Sequence, residues 1–461
     1  MDRKVDATRL LRSLPAIDKV LATEAARDLR ARWRGVLVDD EVRAAVAEAR
    51  DTIRAGGDPG DLSPEGLARR AGARLETRLD QGVRRCVNAT GVVLHTGLGR
   101  AVLPRQAIDA LVRETAGYCV VSIDREEGAR LRRETAVARI LCALTGAEAA
   151  TVVNNNAAAT LIALNTLAAD REAVLSRGQL VEIGGSFRIP DVFRAAGVRL
   201  REVGTTNRTH GTDYEAAIGP DTGLLLRVHP SNYRVVGFTH EVGIEELVEL
   251  GRKHGVPVMD DLGAGALVAI PPEPELALSL RAGADLVTCS GDKLIGGPQA
   301  GILLGRREWV DRVRRNPLFR ALRVDKLTLA ALEATLRLFL RPEGPGDDHP
   351  TLRMLRLSRD ALKRRAAALA RRIRREVPAL QVALFDGFSQ VGSGSLPGES
   401  LPTTLLSVAH PEVGASALAR RLRLAEPPVY TRIVDDQVCL DPRTLLPGDE
   451  KDLVRVLKEC S

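Results

Sequence analysis

Aromatic residues are scarce in this chain of 461 residues, at 3% of the composition, and only eight positions are lysine. Cysteine is thin as well: Cys86, Cys119, Cys142, Cys289, Cys439 and Cys460 are scattered with no C-x-x-C pair, which argues against a disulfide framework and a zinc cluster. The seven histidines never fall in an H-x-x-x-H pattern, so no metal site is expected. No apolar run approaches the roughly 20 residues that a membrane span requires. The first 20 residues, MDRKVDATRLLRSLPAIDKV, are punctuated by charges and lack a secretory cleavage signal, so a cytoplasmic protein is expected. What is present is ordinary for a globular chain, 44% hydrophobic and 28% charged, and long enough for two to four domains at roughly 100 to 200 residues each.

The formal charge is +7, and it is unevenly spread. Between Arg320 and Glu376 there are 15 Lys or Arg against 7 Asp or Glu, so the remainder is close to neutral. Lys363, Arg364, Arg365, Arg371, Arg372, Arg374 and Arg375 cluster on what reads as one long helix. Two readings stand side by side, a solvated helix face and a surface turned toward a polyanion.

Residues 1–75 carry helical periodicity in ATRLLRSLPAIDKVLA and EVRAAVAEARDTI, broken by Pro15, GGDPGD and SP. A small helical domain followed by a linker over 76–90 is expected. Thereafter short β-rich runs alternate with helical ones: TVVN, AVLS, VRLREVG, GLLLRVH, VPVMDD, ADLVTCS and AGILLG. That rhythm predicts a mostly parallel sheet covered by helices, over 91–325. The rest, 326–461, opens with a largely helical passage and then carries LQVALFD, TTLLSVAH, SALARRLRL and QVCLD, read as a smaller α/β domain.

Lys293 sits in ADLVTCSGDKLIGGPQAGILLG, between one strand that ends near Ser290 and another that starts at Ala300. A lysine between two strands, among small residues that let a flat ring approach the backbone, suits a Schiff base to pyridoxal phosphate. Ser290 is placed to donate to the cofactor phosphate, although serine hydrolases of the penicillin-binding type share the letters S-x-x-K. Upstream, VPVM ends in Asp260 and Asp261, and a carboxylate at the C-terminal end of a parallel strand is suited to pair with the pyridinium nitrogen. Asp260 continues the face of Val256 and Val258 and is the first choice, Asp261 the second; either has N-capping as its plain alternative. Further upstream, ATVV runs into Asn154, Asn155, Asn156 and a helical AAATLIALNTLA, a helix start able to hold a phosphate or merely be capped. In VEIGGSFRIPD, Phe187 follows Gly184, Gly185 and Ser186, where its ring could stack on a cofactor or pack in the core.

The order of these elements follows that of fold type I pyridoxal phosphate enzymes. More narrowly, LPAIDKVL, NATGVVLHTGLGRA, VEIGGSFRIPDV, VHPSNYRVVGFT, DDLGAG, SGDKLIGGPQAGIL, NPLFRALRVDKLTLAALEATL and LDPRTLL resemble the bacterial selenocysteine synthase family, the L-seryl-tRNA(Sec) selenium transferases, nearly end to end. The resemblance implies an α/β, aminotransferase-like fold and a tRNA-binding role for the N-terminal helices. It implies β-elimination of the serine hydroxyl of seryl-tRNA(Sec) to an aminoacrylyl ester, then addition of selenium from selenophosphate. Arg100, Arg320 and Arg323 match family arginines associated with the anionic donor; the last two are expected on one face of a helix. Arg432, in PPVYTRIVDD, is placed near the substrate end. A ring of dimers is implied as the assembly. Where the family usually reads H-T-N-L-G-R, this chain has Gly97, which removes a side-chain amide. The alternative is a related lyase or transferase acting on a free amino acid or amino sugar.

Overall fold

The computed structural model describes residues 2–79, 82–184, 187–392 and 395–461. It divides into two compact units, Met1–Arg85 and Cys86–Ser461.

The first unit is helical: α1 (Asp2–Ser13), α2 (Ile17–Leu21), α3 (Glu24–Arg32), α4 (Gly35–Arg54) and α5 (Pro64–Arg78). Thr23 caps α3 by accepting from the Ala26 N–H at 3.2 Å, and Ser63 caps α5 by accepting from Gly66 at 3.0 Å, with Pro64 in the first turn where its missing N–H costs nothing. Val38, Val42, Ala45 and Ala49 form a helical stripe on α4 that shares a core with Leu67, Ala71 and Leu75 of α5. Glu41 is buried beside that stripe, and Arg78 (2.9 Å) and Arg74 (3.0 Å) hold its carboxyl below the usual carboxylate range. Because α5 runs to Arg78, the boundary expected at residue 75 falls inside a helix.

The second unit is built on a seven-stranded sheet: β1 (Ala149–Val153), β2 (Glu172–Ser176), β3 (Arg199–Val203), β4 (Thr222–Val228), β5 (Val258–Gly263), β6 (Leu286–Ser290) and β7 (Gly301–Gly305), in the order β1-β7-β6-β5-β4-β2-β3. Only β7 runs antiparallel to its neighbours. The central strands are apolar on both faces because helices cover both. On one face lie α7 (Thr135–Thr145), α9 (Ile244–His254), α10 (Leu276–Ala282) and a helix over Lys326–Phe339, against which α6 (Arg105–Thr115) packs; on the other lie α8 (Asn156–Ala168) and α11 (Arg307–Arg315). Each of the seven strands expected for this sheet is present within two residues or so of its place, whereas in the smaller domain LQVALFD extends on to Gly392 and TTLLSVAH begins back at Ser395.

A second sheet, antiparallel, has β8 (Gln381–Gly392), β9 (Ser395–Ala409), β10 (Arg432–Val434) and β11 (Gln437–Leu440) in the order β8-β9-β11-β10. One face is covered by α14 (Arg359–Glu376), α15 (Ala415–Leu424) and α16 (Asp449–Cys460). Two expected boundaries shift here for packing reasons. Val87 and Asn88 pair in parallel with Val429 and Tyr430, and Val87 is buried in the smaller core, so this stretch is not linker. A four-residue helix, α12 (Leu318–Ala321), precedes α13 (Lys326–Phe339), whose Leu329, Leu332 and Leu336 belong to the core of the large sheet. Between the two sheets a small cluster joins Val93, Leu94, Ala264, Leu294, Val391 and Leu396. Among the described residues no helix is long and apolar enough to cross a membrane.

Candidate active site

Gly301 of β7 is the register partner of both Val153, the last residue of β1, and Ser290, the last residue of β6. The two turns that follow, Asn154 to Asn156 and Gly291 to Lys293, therefore leave the sheet side by side. A Cβ on Gly301 would collide with the Asn155 carbonyl, so only glycine lets the start of α8 come this close. The lysine loop is fixed by its own backbone: Gly291 donates to Ala300 at 2.8 Å, Gly297 to Gly291 at 2.8 Å and Gly296 to Lys293 at 3.0 Å.

Lys293 is 6% exposed. Burial, and then the charge of Arg100, push its ammonium below the ordinary lysine range, against the opposing pull of Asp292, Asp261 and Glu273. A lysine so placed gives up its proton easily and becomes a nucleophile and base. Asp292 beside it is held at both oxygens, by Arg100 Nη1 at 2.8 Å and by Ser290 Oγ at 2.7 Å. Ser290, expected to face a phosphate, thus donates to Asp292. Arg100 follows Gly99 at the end of the H-T-G-L-G turn and lines a cleft of about 360 Å³ with Thr96, Asp292, Gly297 and Gln299.

The two aspartates of β5 point opposite ways. Val258 and Asp260 share the face toward α10, where Asp260 takes Ser279 Oγ at 2.6 Å and Arg227 Nη1 at 3.1 Å. Met259 and Asp261 share the face toward α8, where Asp261 accepts from Asn156 Nδ2 at 2.9 Å, Thr160 Oγ1 at 2.8 Å and Thr288 Oγ1 at 3.1 Å. Strand alternation therefore turns Asp261, the second choice, toward the α8 start, and Asp260, the first choice, toward Arg227 and Ser279.

At that start Asn155 caps α8 by accepting from Ala158 at 2.8 Å, Asn154 donates its backbone N–H to Leu322 at 3.0 Å, and Asn156 keeps a buried amide oxygen without a partner. Arg323 continues from Leu322 and bridges Val153. Since α12 ends at Ala321, Arg320 and Arg323 do not share a helix face; burial first, and then the charges of Arg323 and Arg320, push the Arg133 guanidinium downward against the pull of Glu134 and Asp325. Phe187 pairs with Ile183 in a short hairpin and packs against the α8-side core, while Gly185 and Ser186 lie outside the described residues. Arg432, expected near the substrate end, binds Asp441 at 3.1 Å and the Phe388 carbonyl at 2.8 Å, and Asp441 also accepts from Ser389 and Thr403.

Two groups near the lysine escaped the sequence reading. His229, one residue past β4, is held neutral by burial and by the charges of Arg227 and Lys293, with its pKa lowered to about 4. Its Nε2 lies 3.8 Å from Glu273, a buried carboxylate whose other oxygen accepts from the Leu396 N–H at 2.6 Å. A histidine directly after an apolar strand was the available signal for the first; nothing local marks the second.

A family model described as L-seryl-tRNA selenium transferase matches residues 86–446. The chain is 48% identical to the L-seryl-tRNA(Sec) selenium transferase of Desulfomicrobium baculatum over 95% of its own length and 96% of the relative's. The identity is also 48% to the proteins of that name from Geotalea daltonii (97% and 99% covered) and Moorella thermoacetica (99% and 98%). Among solved structures, D-glucosaminate-6-phosphate ammonia-lyase shares the fold at 20% identity and a TM-score of 0.59, covering 84% of this chain and 97% of that one. With the model spanning most of the chain and relatives matching it nearly end to end, the chain belongs to the L-seryl-tRNA selenium transferase family.

Proposed function

We propose that this protein converts L-seryl-tRNA(Sec) to L-selenocysteinyl-tRNA(Sec) in the cytoplasm, using pyridoxal phosphate and taking selenium from selenophosphate. The observation that carries the reading is the buried, easily deprotonated Lys293, set by the register of β7 beside the capped start of α8. The residues present fit the cofactor: Asn156 has an unpartnered buried oxygen, and Asp261 offers a carboxylate on the same face. Lys293 would carry the cofactor, Asp261 would face its ring nitrogen, and the N–H groups at the α8 start would take its phosphate. When bound, pyridoxal phosphate supplies the electron sink that makes the serine Cα–H acidic enough to remove.

The remaining work falls to the protein. The amine of Lys293, its pKa lowered first by burial and then by the charge of Arg100, which Asp292 holds in place, takes the Cα proton. Neutral His229 supplies a flat side chain close to the lysine without adding charge. Arg320, Arg323 and Arg133 present guanidinium groups to an anion, which suits selenophosphate. The helical residues 1–75 would hold the body of the tRNA. Exposed Val112, Tyr118, Val120 and Ile123 offer an apolar surface for a homo-oligomer, a ring of dimers.

The deciding experiment supplies purified, cofactor-loaded protein with seryl-tRNA(Sec) and selenophosphate, with free serine in parallel. Selenocysteinyl-tRNA with no turnover of the free amino acid is expected. Turnover of free serine alone would move the protein to the lyase branch of the fold.

A further inference from the structure

We propose that the outer face of α14 is a second contact surface for the substrate's RNA, gripping its phosphate backbone away from the reacting serine; this rests on the reading that the substrate is a tRNA. The helical layer over the smaller sheet, α14, α15 and α16, holds 14 Lys or Arg against six Asp or Glu, an excess of eight in a chain whose total is +7. The excess comes from the two helices α14 and α15, which bring 11 basic residues against two acidic ones, while α16 is slightly acidic.

Helical geometry divides α14 sharply. Leu362, Ala366, Leu369, Ala370 and Ile373 are buried in the core. On the opposite side Arg364, Ala368, Arg371 and Arg375 fall in one exposed stripe, and at 1.5 Å per residue its arginines span about 16 Å. A nucleic-acid strand in a duplex carries one negative charge per roughly 3.4 Å of axis, so the stripe faces several phosphates. No carboxylate occurs on α14 between Asp360 and Glu376. Among the described residues Lys363, Arg364 and Arg371 have no hydrogen-bond or ion-pair partner, and neither do Arg420 and Arg423 of α15. Glu376 is shared by Arg372 and Arg375.

Arg374 and Arg375 have a local reason to be there, since cations favour a helix C-terminus. Arg364 has Asp360 one turn before it, at a spacing that favours the helix but with no ion pair formed; Arg371 has no such neighbour, sits mid-helix and faces Arg375 one turn on, a like-charge pair that weakens the helix. A bound polyanion would relieve that repulsion. The stripe has a single alanine, Ala368, among its arginines, so it offers no apolar ridge to enter a membrane and no aromatic ring to stack a base. What fits is the backbone of a folded RNA, read without regard to sequence.

The test uses the full-length, cofactor-loaded protein. Arg364→Glu with Arg371→Glu is compared with wild type and with a control of equal charge, Arg201→Glu with Arg281→Glu, two exposed arginines elsewhere on the second unit. Affinity for seryl-tRNA(Sec) is measured across salt concentrations, and melting temperature and visible absorbance certify folding. The α14 pair is expected to weaken binding at least tenfold near 0.1 M salt and to reduce the slope of log K against log salt by about 1 to 2, with the control within twofold of wild type. Equal loss in both pairs would reduce the effect to net charge and overturn the proposal, as would unchanged affinity and slope in the α14 pair. A change in sedimentation without loss of RNA affinity would also overturn it, in favour of a protein partner. Wild type that binds no tRNA would instead refute the proposed function itself.

Discussion

Lys293 is an uncomfortable residue to fold around. Its pKa is lowered chiefly by burial, so in the window between the folded value and the ordinary lysine value the unfolded chain holds a proton that the folded chain does not. Stability therefore rises with pH through that window, and Lys293→Met should melt higher than wild type near neutral pH when both are stripped of cofactor, while losing visible absorbance on adding it back. Equal melting temperatures would contradict the burial argument. His229 has the same sign: folded near 4 against 6.5 unfolded, it contributes stability above about 6.5 that is lost as pH falls toward 4, roughly 3 kcal/mol at most. His229→Gln should flatten the acid limb of a denaturation series. Glu273 is raised by burial and opposes it, so Glu273→Gln should steepen that limb. The aspartates separate by role. Asp260→Ala leaves Arg227 without its buried partner and should cost about 3 kcal/mol of folding stability. Asp261→Ala should instead lower cofactor affinity at least tenfold, measured by absorbance titration. Both were legible as residue types at the end of a strand, but a single strand's alternation does not say which face its neighbours cover.

Elements were legible where period and punctuation agree. The seven runs read as strands are strands because each is short, apolar and bounded by turn residues, and SALARRLRL is a helix with a clean buried stripe. Less was legible where an element's fate depends on a distant surface. The chain passes from catalytic sheet to smaller lobe only after α13, because Leu329, Leu332 and Leu336 find their partners on α7 and the large sheet. Val87 and Asn88 become a strand only because Val429 and Tyr430 lie beside them. At this scale the close approach of β7 to α8 makes the sharpest prediction. Gly301→Ala should displace the start of α8 and reduce cofactor affinity more than tenfold, whereas Asn155→Ala, which removes one cap bond, should cost about 1 kcal/mol of stability and leave most of the affinity. Equal effects of the two would mean that the cap, not the approach, shapes the site.

At the scale of the molecule, the first unit has its own core of α4 and α5 and its own buried ion pairs, so residues 86–461 should fold and bind pyridoxal phosphate without it. Cooperative melting and full visible absorbance of that fragment, with turnover of seryl-tRNA lost, is the expected result; an unfolded fragment would show that the helices serve the fold and not the RNA. The sequence reading put a helical domain at 1–75 and a change of texture from Val87; the first unit runs to Arg85. One consequence follows from the position of Gly301 between β1 and β6. The lysine and the helix start that would hold the cofactor's phosphate are separated by well over a hundred residues and are brought side by side by the two ladders of β7. A chain with either ladder unmade has no pocket, whatever its helix content. During refolding with pyridoxal phosphate present, colour should then lag the recovery of helical circular dichroism, turning the cofactor into a clock for the last strand to close.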